Sequence, residues 1–487
     1  MKIKKKLVTV SFILFLQSCT TSRPEINKAQ IFPLNNYSQN IQRFINPNSP
    51  DYNIPLISNN VILEKENAYK EHFFGEQSPW SDSFVSGILN KQNTDSIYSV
   101  EKFLFQKYRE NCDTDNPKSF ATNLKPYTCD WFDNQILRNM DLNQFEQKLF
   151  FYKNNRAIAT NNISARTFPT NSPLFYDYRL AGEGYPFDML QVSSIWVGTP
   201  LYIVGKSKDK EWSLVLTNSG FVTWVPSNKI ALASEKFIFE YQENVKKHGL
   251  RVVTQPHSPI INNSGKIELR AYTGSLFPGQ QQEETNKVFF PISLENGYAK
   301  FITAKINEDK VSIFPLSSSP KNFVNVIQPL LGRPYGWGGL YYYNDCSQEL
   351  RNIFSVFGIW LPRNSAYQYQ EGKMIDLSNY STQERLEALS KLGRKFVTLV
   401  YIKGHIMLYI GNFNNAPLVH NNIWGLKPAD NSYRSIIGQS SLIPLLSSYP
   451  ENPELISIAD DKYRPKFIIT YLDELPNNGD SVAKVLK

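Results

Sequence analysis

The chain has 487 residues, 41% hydrophobic and 20% charged. That is a folded protein's composition, too long for one ordinary core, so about three or four domains are expected. The formal charge of +8 owes half its excess to Lys2, Lys4, Lys5 and Lys6, and no basic stripe interleaves with aromatics, which argues against nucleic-acid binding. No His, Cys or carboxylate pair has ligand spacing, which argues against a metal site.

The early lysines precede the apolar run Leu7 to Leu16. This run is too short to span a bilayer and reads as the core of a signal peptide. Its end, Leu16-Gln17-Ser18-Cys19, resembles a bacterial lipobox. The resemblance implies removal of residues 1–18, acylation of Cys19 and a polar tether over 19–35 with Pro24 and Pro33. Several acyl chains anchor stably where one does not. Thr20 in place of an aspartate points to the bacterial outer membrane, facing the periplasm.

Residues 36–152 carry helical signals: Ile97, Val100, Phe103, Leu104 and Tyr108 share one face over 96–108, and Leu142 to Tyr152 repeats the pattern. Cys112 and Cys129 lie in this region. They are either two buried thiols or a disulfide, which would stabilise the domain by roughly 3 kcal/mol in an oxidising compartment. Over 153–235 the chain turns to short β runs, Trp196 to Val204, Trp212 to Leu216 and Phe221 to Val225, read as a small barrel. A second β-rich segment fills 236–321, with His248 and His257 expected in exposed loops and given no function.

Within 322–475, the turn Pro334-Tyr335-Gly336-Trp337-Gly338-Gly339 leads into Asp345-Cys346-Ser347. Its glycines are not followed by the lysine of a phosphate loop. Leu350, Ile353, Phe354 and Phe357 then follow helical spacing until Gly358. Asp345 is a candidate N-cap. A cysteine in the first helical turn is expected to ionise readily, because free N–H groups and the helix dipole favour its anion. The bland alternative is a buried structural cysteine. Alternation over His405–Ile410 groups His405 with Met407 and Tyr409, and Ile406 with Leu408 and Ile410. His420 follows in a second strand-like run.

Trp337-Gly338-Gly339, Asp345-Cys346-Ser347, Leu361-Pro362-Arg363-Asn364-Ser365 with Gln368, Gly404-His405 and His420 together resemble the catalytic domain of NlpC-type cysteine peptidases, which cut the stem peptide of peptidoglycan. Pro79 to Phe84 resembles the helical stabilising domain of such enzymes, and Arg166 to Thr170, Phe187 to Gln191 and Gly198 to Leu201 resemble their first SH3-like barrel. The implied fold is α+β multidomain: a papain-like catalytic domain behind two SH3-like barrels and a helical N-terminal domain, with a tail over 476–487.

The resemblance implies Cys346 as nucleophile, His405 as base and then acid, and His420 as the residue orienting the imidazole. It implies hydrolysis of the γ-D-glutamyl bond to the diamino acid, with stem peptides as partners, the membrane met through the lipid anchor, and no cofactor. Asn364 stands where members acting on free stem peptides often carry an aspartate for the substrate's amine, and Asp345 and Glu183 are candidate substitutes. Ser347, Ser365 and Trp337 are candidate substrate contacts, and Glu183, Tyr185 and Asp188 candidates for a barrel wall across the cleft. The rivals are an amidase or acyltransferase on the same scaffold and a wall-binding protein without catalysis.

Overall fold

The computed structural model describes residues 29–281 and 284–476. The signal core, Cys19, most of the tether and the tail from 477 lie outside the described residues. Among those described, no helix is long and apolar enough to cross a membrane.

The N-terminal region is helical at Asn59–Phe73, Asp82–Leu89 and Ile97–Arg109. Ser96 caps the last of these, its side chain accepting from the N–H of Ser99. Cys112 and Cys129 form a disulfide below it. The helix expected over Leu142 to Tyr152 is absent, replaced by a short 3-10 turn at Leu142–Phe145. Beyond it Leu149 and Phe151 pack inward, while Phe150 and Tyr152 are exposed. That alternation has a period of two, which suits extended chain better than a helix.

Seven antiparallel strands make the first barrel, in the order Gln191–Ile195, Ile163–Arg166, Val222–Pro226, Trp212–Thr217, Pro200–Lys206, Arg156–Ala159, Ile230–Leu232. The expected single run from Trp196 to Val204 is broken by a turn at Gly198 (φ +87°), where a Cβ would lie 2.7 Å from the Leu276 carbonyl. Close approach of the second β-rich region explains the break. Next comes the Glu235–His248 helix, capped by Ser234 and burying Phe237, Ile238 and Tyr241. His248 therefore ends a helix, and the loop expected for it is corrected. His257 lies in an exposed turn. A four-stranded and a three-stranded sheet follow, sharing a core of Val253, Ile260, Phe277 and Phe290.

The last region is built on a seven-stranded sheet, ordered Gln30–Ile31, Ser435–Pro444, Ala416–Leu426, His405–Phe413, Thr398–Ile402, Phe467–Tyr471, Lys373–Asp376. Its pairs are antiparallel except the first. Ile406, Leu408 and Ile410 pack against Leu350, Ile353 and Phe354 of the Cys346–Val356 helix. On the other face Met407 and Tyr409 join Leu386 and Leu389 of the Thr382–Leu392 helix. Full burial of each such side chain contributes about 1.5–3 kcal/mol. The alternation read from sequence thus orients the strand between two layers of helix.

Candidate active site

Cys346 is the first residue of its helix, and Asp345 caps it through a 2.9 Å bond from the Gln348 N–H. Asp345 is also gripped by Arg363, whose Nη2 lies 2.5 Å from Oδ2. The same guanidinium donates to Ser347 Oγ at 2.7 Å and to Ser193 Oγ of the first barrel at 2.9 Å. Gln368, fully buried, donates to the carbonyls of Ser347 and Pro362, both at 2.8 Å. These bonds hold the helix start rigid, and Cys346 as a residue is half-buried.

The thiol takes a hydrogen bond from the N–H of Ile406, the residue after His405. Burial, then Asp345, pushes its pKa up to about 12, against the Ile406 N–H, Arg363 and the Ser347 N–H. The ready ionisation expected of a helix N-terminus is therefore overturned, because desolvation outweighs it. His405 is pushed down to about 4, by burial first and then by Arg464, with Asn421 and Asp345 opposing. At neutral pH Cys346 is therefore a thiol and His405 a neutral imidazole.

His420 is not the residue that meets this imidazole. It pairs with Leu408, so its side chain leaves the sheet on the face of the Cys346–Val356 helix. There, fully buried, its Nε2 lies 3.1 Å from Ser440 Oγ and 3.1 Å from Glu349 Oε1. Asn421, one residue on, takes the opposite face and is the side chain that interacts with His405. Neither the Nε2 of His405 nor either amide atom of Asn421 makes a hydrogen bond, so Asn421 acts on the imidazole by proximity. Two adjacent polar residues on one strand offer two faces, and only the pairing register chooses between them.

The remaining candidates separate by what they touch. Asp188 is 2% exposed, pairs with Arg166 and accepts from the N–H groups of Leu174 and Leu190. It braces the barrel and does not wall a cleft. Asp345 and Ser347 are both committed to Arg363, which corrects Asp345 as a substitute for the missing aspartate and Ser347 as a substrate contact. Asn364 is exposed and caps the short Ser365–Gln368 helix through the Ala366 N–H at 2.9 Å, and Ser365 is buried. Tyr185 is 68% exposed. Glu183 is held above the usual carboxylate range by burial, with Arg434 opposing.

Trp337 stacks edge-on against Phe187 of the first barrel, with ring centroids 5.4 Å apart. The glycines after it have the left-handed φ values of +58° and +82°. A Cβ on Gly338 would strike the Gln191 carbonyl, and one on Gly339 would strike Ser194. The barrel strand Gln191–Ile195 therefore lies directly on the turn that leads to Cys346. Ser194 Oγ donates to the Gly339 carbonyl at 2.7 Å, and Trp196 Nε1 to Asn352 of the Cys346–Val356 helix at 3.0 Å.

Tyr335 was not singled out in sequence. It is half-buried within electrostatic reach of Cys346 and Asp345, and desolvation, followed by those two neighbours, raises its pKa well above the usual phenol value. Its hydroxyl is neutral at physiological pH. Its place inside the glycine-rich turn was the available signal.

Residues 332–431 match the NlpC/P60 family, and residues 173–226 match the SH3 domain of SH3b1 type. No curated protein matches the chain. Among solved structures it is similar to an NlpC/P60 endopeptidase from Photobacterium damselae subsp. piscicida, with 27% identity, a TM-score of 0.77, and coverage of 92% of this chain and 100% of that one. An NlpC/P60 family protein from Bacillus cereus aligns over 55% of this chain and 81% of its own, at 19% identity and a TM-score of 0.38. The peptidoglycan hydrolase RipB of Mycobacterium tuberculosis aligns over 31% and 62%, at 16% identity and a TM-score of 0.19.

Proposed function

For a chain that carries an NlpC/P60 domain behind an SH3b domain, we propose the activity of a cell-wall cysteine endopeptidase that hydrolyses the γ-D-glutamyl bond to the diamino acid of murein stem peptides. The observation that carries this reading is the placement of Cys346 at a helix start, in contact with the residue that follows His405.

Cys346 Sγ attacks the scissile carbonyl carbon as its proton passes to the His405 imidazole, because the resting thiol is not ionised. The oxyanion gathers at the Cys346 backbone N–H, with the Tyr335 hydroxyl a candidate second donor. Collapse breaks the C–N bond, and the imidazolium returns its proton to the leaving amine. Water, deprotonated by His405, then cleaves the thioester, releasing the acid and restoring the thiol. Asn421 orients the ring throughout.

The barrel-one loop bearing Glu183 and Tyr185 would favour short peptides with a free L-Ala end over intact sacculi. Lipidation of Cys19 would hold the enzyme at the outer membrane in the periplasm, and a Cys19→Ala variant would then leave the membrane fraction.

Incubation with L-Ala-γ-D-Glu-diaminopimelate, read by mass spectrometry, tests the reaction. Release of L-Ala-D-Glu by the native chain and not by Cys346→Ala supports it. Hydrolysis surviving in the variant, or none by the native chain, removes it.

A further inference from the structure

Arg464 lies within electrostatic reach of the His405 imidazole, and Arg434 and Lys427 lie within reach of Arg464; among the described residues these three cations have no matching set of carboxylates. A cavity of about 260 Å³ opens between the first barrel and the last region, with Glu183 and Arg179, itself paired with Asp177, on one wall and Asn431, Ser432 and Arg434 on the other. Arg434 is fixed there: its Nη1 donates to the Tyr433 carbonyl at 2.9 Å, and its guanidinium lies where a Cβ on Gly182 (φ +78°) would sit. Lys427 reaches Asn431 Oδ1 at 3.1 Å. Arg464 stands in electrostatic reach of Arg434, Lys427 and His405, and its Nε is buried without a hydrogen-bond partner.

Glu183 faces Arg434 and Asp460 faces Arg464, so two carboxylates answer three cations. Burial first, then Arg464, makes it harder for Lys427 to stay charged. Like charges gathered in a partly desolvated cleft are unfavourable alone and become favourable when an anion enters. A guanidinium with an unused buried N–H is shaped for a carboxylate.

We propose that Arg464, with Arg434 and Lys427, forms a binding site for a carboxylate of the substrate, next to the imidazole that handles its proton. The inference rests on the stem-peptide reading above, and it identifies which charge of that peptide the enzyme reads. Two substrate carboxylates have this chemistry: the free α-carboxylate that a γ-linkage leaves on D-Glu, and those of the diamino acid.

The test uses the full chain and three peptides: L-Ala-γ-D-Glu-diaminopimelate, the same with D-Glu amidated at its α-carboxyl, and the same with diaminopimelate amidated. Binding is measured by calorimetry in the Cys346→Ala background, so that it does not depend on turnover. Arg464→Gln is expected to weaken the parent peptide about tenfold to a hundredfold, the loss of one charged hydrogen-bonded pair. It should have no further effect on whichever amidated peptide has lost the recognised carboxylate, and Arg434→Gln, nearer the surface, should repeat the pattern more weakly. Equal binding of all three peptides, or an equal loss on all three in both variants, overturns the site. Failure of the native chain to hydrolyse any peptide would remove the enzyme reading separately, while selective loss of binding would still support the site.

Discussion

At the residue scale Cys346 and His405 are both electrically neutral at rest, and this has a kinetic signature. With the Cys346 thiol pushed up to about 12 and the His405 imidazole down to about 4, alkylation by iodoacetamide should accelerate with rising pH and show no plateau between about pH 5 and 7. A plateau there would reveal a thiolate–imidazolium pair and refute the neutral assignment. The acid limb of kcat/KM should fall near pH 4, because only then does His405 take up a proton and cease to act as a base. The two polar neighbours on the next strand should also separate. Asn421→Ala is expected to lower kcat about a hundredfold with Tm unchanged. His420→Ala should cost about 1–3 kcal/mol of stability, because it strips a hydrogen-bond partner from the buried Ser440 and Glu349, and the protein that remains folded should turn over normally.

Two elements carry their own predictions. Glu101 of the Ile97–Arg109 helix is buried and accepts from Trp224 Nε1 of the first barrel at 2.8 Å. Burial raises its pKa from 4.5 to about 8, with the Trp224 bond opposing. The folded state therefore keeps a proton that the unfolded chain releases. Its contribution is whole below about pH 4.5 and fades as pH rises through about 8. Glu101→Gln should flatten that decline in denaturant midpoint, and an unchanged slope would show that Glu101 does not cause it. The turn before Cys346 is the second such element. Gly339→Ala combines a φ of +82° with a collision against Ser194, and about 1–3 kcal/mol of destabilisation with reduced kcat is expected.

Across the whole molecule, the first barrel is packed into the candidate active site. Ser193 shares the Arg363 guanidinium with Asp345, and Gln191 donates to the Gly338 carbonyl at 3.1 Å. Urea unfolding followed by barrel tryptophan fluorescence and by residual activity should therefore give coincident midpoints. Activity persisting after the barrel has unfolded would show that the catalytic region stands alone.

The elements that sequence revealed were those whose pattern repeats locally: the amphipathic helix after Cys346, the two-faced strand from His405, the short runs of the first barrel, and the order of motifs that marks the NlpC/P60 domain. Each needs only side-chain periodicity and a cap or glycine to be visible. Leu142 to Tyr152 misled because a few aromatics fit both periods, and burial against the barrel chose the extended one. Strand register selected Asn421 over His420, close packing of the barrel enlisted Gly338 and Gly339, and desolvation reversed the expected ionisation of Cys346. These outcomes belong to tertiary structure, because they depend on which distant atoms exclude water and which side of a sheet a residue faces, and neither is encoded in the spacing of neighbours along the chain.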